Sequence, residues 1–137
     1  MNKVHSKEKL VFVKDLMWKK VDFVDGLSSV RTCLNKMKNK STKMLVVHKK
    51  HKYDEHGIVL ISNIARDVIA KNRSLDRVNA YEVMTKPAIH VHPDMQIHHC
   101  AMLLANFKLS RCPVVKKGEV VGVISLTGIV FNGLDKL

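Results

Sequence analysis

The sequence predicts an α+β fold built from two copies of one strand, helix, strand, strand, helix unit. Three observations predict it: an internal repeat that keeps register at an offset of 67 residues, hydrophobic spacing that switches between strand and helix periods within each copy, and a short polar joint between copies. Met17 falls on Met84, and the same offset places Asp15 on Glu82, Lys19 on Lys86, Val24 on Val91, Val30 on Ile97, Cys33 on Cys100, Met37 on Leu104, Asn39 on Asn106 and Val47 on Val114. Beyond Val47 the copies differ in length. The first inserts 48–56 before Gly57, whereas the second needs only 115–121 before Gly122. A length change confined to a polar segment is what a surface hairpin tolerates.

Each element has a local reason. An extended piece at 21–24, or 88–91, runs into a turn at Asp25-Gly26, or Pro93-Asp94. The helix that follows carries Val30, Cys33, Leu34 and Met37 in one copy and Ile97, Cys100, Ala101 and Leu104 in the other, the i, i+3, i+4, i+7 stripe of a helix packed on a sheet. Ser28 and Asp94 are the expected N-caps. Short apolar strands are expected at 44–47 and 112–115, returning across the hairpin as 57–61 and 121–124, both rich in β-branched residues. A second helix should begin near Ser62 with Ile64, Ala65, Val68 and Ile69, and its counterpart near Thr127 carries Ile129 and Val130. The expected boundaries are 10–72 and 78–134, with 73–77 as linker. A unit of this size buries too little surface to stand alone, so the copies are expected to pack as a pseudo-twofold pair.

Composition narrows the function classes. The apolar runs at 57–61 and 120–124 fall far short of the roughly 20 residues of a membrane-spanning helix, and no membrane association is expected. Residues 1–9 are charged and lead into no uninterrupted apolar stretch with a cleavage site, so a cytoplasmic location is expected. Cys33, Cys100 and Cys112 have no CxxC spacing and suit a reducing compartment. The net charge of +12 favours anionic partners by long-range attraction without defining a site.

Sharper chemistries find little support. His90 and His92 share one strand face and His98 and His99 open the next helix, but adjacent helical histidines diverge by about 100° and no carboxylate or cysteine stands at ligand spacing. The lysine run Lys36, Lys38, Lys40, Lys43, Lys49, Lys50 and Lys52 could attract nucleic acid or an acidic partner, yet with 5% aromatics it offers no stacking platform for bases. No paired carboxylates, nucleophile with base or Gly-rich phosphate loop is present, so the chain is not expected to be an enzyme.

The duplicated order of elements resembles the CBS-domain pair, also called a Bateman module. The resemblance rests on Asp15-Leu16-Met17 and Glu82-Val83-Met84-Thr85, on Val91-His92-Pro93-Asp94, on the small helix residues Cys33 and Cys100, and on Pro113-Val114-Val115, Gly57-Ile58-Val59 and Gly122-Val123-Ile124. It covers nearly the whole chain, from Val13 to Val130.

The resemblance implies a regulatory module, often a flat homodimer, that binds an adenosine-containing ligand such as AMP, ADP, ATP or S-adenosylmethionine between the repeats and requires no cofactor. With no output domain in these 137 residues, the readout would fall to another protein. The alternative is a basic interaction or nucleic-acid-binding protein that keeps the fold without ligand sensing. The implied contacts lie just before the first two strands of each repeat: Lys19, Lys20, Val21 and Asp22 with Met44 and Leu45 in the first, and Thr85, Lys86, Pro87, Ala88 and Ile89 with Arg111, Cys112 and Pro113 in the second. The family's ribose pattern, a serine or threonine followed three residues later by an aspartate, falls on Leu60 and Asn63 and on Ser125 and Gly128, so both copies depart from it. Lys86, Arg111 and Arg66, one turn beyond Asn63, are the implied phosphate contacts.

Overall fold

The computed structural model describes residues 10–137, so the charged stretch 1–9 lies outside the described residues. The first copy runs α1 (Val13–Leu16), β1 (Asp22–Val24), α2 (Val30–Lys36), β2 (Met44–Val47), β3 (Gly57–Leu60) and α3 (Ile61–Ile64), which continues as a π-helical stretch over Ala65–Ile69. The second runs α4 (Ala80–Val83), α5 (Ile97–Asn106), β4 (Arg111–Lys116), β5 (Glu119–Ser125) and α6 (Leu126–Gly133).

In the first copy β1 lies parallel to β2, and β3 returns antiparallel to β2. In the second, β4 and β5 form the antiparallel hairpin. The offset read from the sequence reappears in the pairing: Val24 stands opposite Val47, and Val91 opposite Val114. The strand expected at 88–91 nevertheless shrinks to the single bridge at Val91. In the first copy the His48 amide donates to the Val24 carbonyl, and its counterpart, the Val115 amide, donates to Val91. One step earlier along the ladder the donor would be residue 113, a proline, which has no N–H to give.

The expected caps are corrected by one and two residues. Ser29, not Ser28, caps α2 by accepting from the Thr32 amide at 3.1 Å. Ser28 is used instead in the preceding turn, where its amide donates to the Asp25 carbonyl. Gln96 precedes α5, and Asp94 is held by Lys14 at 3.0 Å.

Side-chain alternation divides the interior into three clusters. Leu45, Val47 and Val59 face inward with Val30, Cys33, Ile64 and Val68 to form the first core. Cys112, Val114 and Ile124 do the same with Ile97, Cys100, Leu104 and Ile129 in the second. The opposite strand faces, Met44, Val46 and Ile58 from one copy and Val120 and Val123 from the other, meet between the repeats. β2 is therefore buried on both faces.

Each core also takes in the short helix that precedes the other repeat. Val13 and Leu16 of α1 lie in the second core, and Ala80 and Val83 of α4 lie in the first. The bridges Phe12–Gln96 and Ser29–Asn79 fix this exchange and are themselves related by the offset. Asp15 and Glu82, the acidic residues of the repeated motif, accept from the amides of Phe12 and Asn79 at 2.9 and 2.8 Å and so close the first turns of α1 and α4. The methionines of the same motif lie against a glycine of each returning strand, Gly57 at the start of β3 and Gly122 within β5. A Cβ at Gly57 would meet Met84 Sδ, and one at Gly122 would lie 2.8 Å from Met17 Sδ. Full burial of a side chain such as Leu16 is worth roughly 1.5–3 kcal/mol, so the exchange is a main source of cohesion between copies.

Candidate functional site: a cleft between the repeats

The Thr85 backbone pairs with Ile58 in both directions, at 2.8 and 2.9 Å, and this sets the segment 85–89 alongside β3. Between them lies a cleft of about 270 Å³, lined by Ile58 and Leu60 of β3, by Thr85, Pro87, Ala88 and Ile89, and by Leu109, Arg111 and Pro113 at the start of β4. It continues over Ile58, Ala88 and Pro113 into a more polar hollow of about 290 Å³ bordered by Glu55, His56 and His90. An apolar trough with few polar groups, opening to a polar end, suits a ligand with a flat apolar body and a hydrophilic tail.

Arg111 supplies the cation in the wall. Its Nη1 donates to the Thr42 carbonyl at 2.8 Å, and partial burial lowers its pKa from the ordinary guanidinium value. At the polar end His56 Nε2 stands 3.2 Å from Glu119 Oε1, with Nδ1 3.3 Å from the Val47 carbonyl, so the hairpin of one repeat meets β5 of the other. Lys49 reaches the same glutamate at 3.1 Å, and the two contacts, Lys49 foremost, hold the Glu119 carboxyl below its usual range.

Six implied contacts, Thr85, Pro87, Ala88, Ile89, Arg111 and Pro113, converge on this cleft. The others are placed elsewhere. Lys86 lines a separate cavity of about 420 Å³ together with Gly26, Leu27, His48, Lys50 and Tyr81, and its Nζ is 2.8 Å from Asp54 Oδ2. Leu45 and Cys112 point into the two cores. Burial pushes the Cys112 thiol up to about 12 and that of Cys100 to about 11, which keeps both protonated at neutral pH. Asp22 accepts from the amides of Lys38 and Asn39, both at 2.9 Å. Val21 and Met44 pack in the cluster between the repeats, Met44 with no exposed surface, and Lys19 and Lys20 are exposed. Asn63 accepts from Arg66 Nη2 at 2.6 Å at the start of α3. Ser125 is fully buried and accepts from the Gly128 amide at 2.9 Å as the N-cap of α6.

Ile58 and Leu109 line the cleft without standing in the implied set. Strand alternation carries the signal for Ile58, because Val59 faces the core and its neighbour must face away. Leu109 precedes its strand and has no such marker.

The fold is that of a tandem CBS-domain pair. Residues 80–134 match the family described as CBS domain, and the first copy repeats that unit's strand pairing, Val24 with Val47 as Val91 with Val114. Among similar proteins, the uncharacterized protein YlbB of Bacillus subtilis is 25% identical over 118 residues, spanning 83% of this chain and 76% of that protein. The uncharacterized protein MK0525 of Methanopyrus kandleri is 26% identical over 75 residues, 54% of this chain but only 38% of that protein. The hexameric CBS-CP12 protein from bloom-forming cyanobacteria superposes with a TM-score of 0.84 at 28% identity, covering 93% of this chain and 75% of that one. The CBS domain pair of MJ0100, solved in complex with 5-methylthioadenosine and S-adenosyl-L-methionine, shares the fold with a TM-score of 0.77 at 23% identity, covering 94% of this chain and all of that one.

Proposed function

We propose that this CBS pair is a regulatory module that binds an adenosine-containing ligand in the cleft between Leu60, Ile89 and Arg111 and relays occupancy to a partner protein. The carrying observation is the cleft itself, which is apolar along Ile58, Pro87 and Leu109 and offers one inter-repeat guanidinium. AMP, ADP, ATP and S-adenosylmethionine are the candidate ligands, and the complex of the MJ0100 pair with 5-methylthioadenosine and S-adenosyl-L-methionine supports that class. The module acts without catalysis, by differential affinity of the ligand for two arrangements of the repeats. Self-association as a homodimer is part of the reading, supported by the exposed Val130, Phe131 and Leu134 in and just beyond α6. A cytoplasmic setting is supported by three free buried thiols. No helix of the described residues is long and apolar enough to cross a membrane.

Thermal melts with AMP, ADP, ATP, S-adenosylmethionine and a short nucleic acid test the reading. Saturable stabilisation by one adenosine compound, about 2.7 kcal/mol at a hundredfold excess over Kd and retained in moderate salt, is the expected result. Binding to nucleic acid alone, lost as salt rises, would transfer the assignment to a basic interaction protein.

A further inference from the structure

We propose that this pair is a one-ligand module, because the crevice related to the cleft by the internal twofold is occupied by the side chain of Trp18. What enters the open cleft rests on the adenosine reading above; what fills the closed one does not.

The two crevices share a backbone. Trp18 pairs with Val123 in both directions at 2.9 and 3.0 Å, as Thr85 does with Ile58, and Trp18 stands 67 residues before Thr85. Only the side chains differ. Where the open cleft has threonine, the other has the chain's single tryptophan. Arg111 is replaced by Met44 and Pro113 by Val46, both with no exposed surface, and Trp18 packs against their cluster with Val123.

The decisive position is Gly128, the counterpart of Asn63. A Cβ at Gly128 would lie 2.8 Å from the Ser125 hydroxyl oxygen and 2.9 and 3.1 Å from Cη2 and Cζ3 of the Trp18 ring. The indole therefore rests on α6 where the other half carries a hydrogen-bonding side chain. Ser125, beneath it, has its hydroxyl committed to the Gly128 amide. A large ring and an absent side chain are complementary here: a side chain at 128 would clash, and a small residue at 18 would leave a void. One crevice has thus become a packed joint between repeats, and occupancy of the other makes the pair asymmetric.

Two measurements test this. In isothermal titration with AMP and with S-adenosylmethionine, the intact chain should bind one molecule per chain, and the Trp18→Thr/Gly128→Asp double variant should gain a second, weaker event. Two equivalents on the intact chain would overturn the proposal. The second measurement needs no ligand. Gly128→Ala should lower Tm by about 5 °C, although helix propensity alone would raise it, and the loss should at least halve in a Trp18→Thr background. An unchanged or raised Tm, or an equal loss in both backgrounds, would sink the plug. Should neither compound bind any variant, the ligand reading fails and the Gly128 comparison still decides whether Trp18 fills the crevice.

Discussion

Arg111 Nη1 lies 2.8 Å from the carbonyl oxygen of Thr42, so a cation of the second repeat is tied to the backbone of the first in the wall of the cleft. The tie presents the guanidinium without ordering it anew when a ligand arrives. Arg111→Met copies the residue that the other half uses at this place, Met44. It should leave Tm within a few degrees and weaken AMP binding about tenfold, the loss of one charge-assisted hydrogen bond, read by titration calorimetry.

Leu16 is 2% exposed in the core of the repeat it does not precede. Leu16→Ala should cost about 2–5 kcal/mol in urea unfolding. The transition should stay single, because each core contains an element of each copy. Separate transitions for the two halves would contradict the exchange.

Gly57→Ala and Gly122→Ala should both destabilise, by about 1–3 kcal/mol each. Gly122 should be the worse, because its added methyl meets a backbone atom, the Trp18 carbonyl oxygen at 2.5 Å, as well as Met17. At Gly57 the obstacle is the Met84 side chain, and Met84→Ala in the Gly57→Ala background should recover part of the loss.

Asp54 accepts from Lys86 Nζ and from the Lys50 amide, and this pair of donors, Lys86 foremost, holds its carboxyl well below the ordinary range. Lys14 acts on Asp94, and Lys49 with His56 on Glu119, in the same direction. A carboxyl with a lowered folded-state pKa stabilises fully above its unfolded value, near 4, and that share is lost as pH falls through the folded value. Tm should therefore be flat in these terms above about pH 5 and decline beneath pH 4. Asp54→Asn should make the acid decline shallower, checked by melts across that window.

The repeat, the strand alternation and the packing stripes were legible because side-chain period and internal offset both leave direct marks, as Val24 with Val91 and Val47 with Val114 show. Which copy each leading helix packs against was not. The offset equates Leu16 with Val83, but two arrangements of the pair satisfy the same pattern. The shortened strand at Val91 was written in Pro113, whose missing N–H is a local fact with a distant effect. The cleft was half legible: Thr85, 87–89, Arg111 and Pro113 follow from the resemblance, whereas Lys86 is drawn aside by Asp54, a residue of the first copy's longer hairpin. Trp18 against Thr85 was the overlooked mark, a tryptophan aligned with a small polar residue.

The crossing of α1 and α4 bears on descent. A chain with a single copy would carry an arm without a groove and a groove without an arm. Two such chains would satisfy one another by trading arms, and joining them end to end yields the present molecule without rebuilding either half. Once joined, the halves were free to diverge, one keeping its hollow and the other surrendering it to an indole.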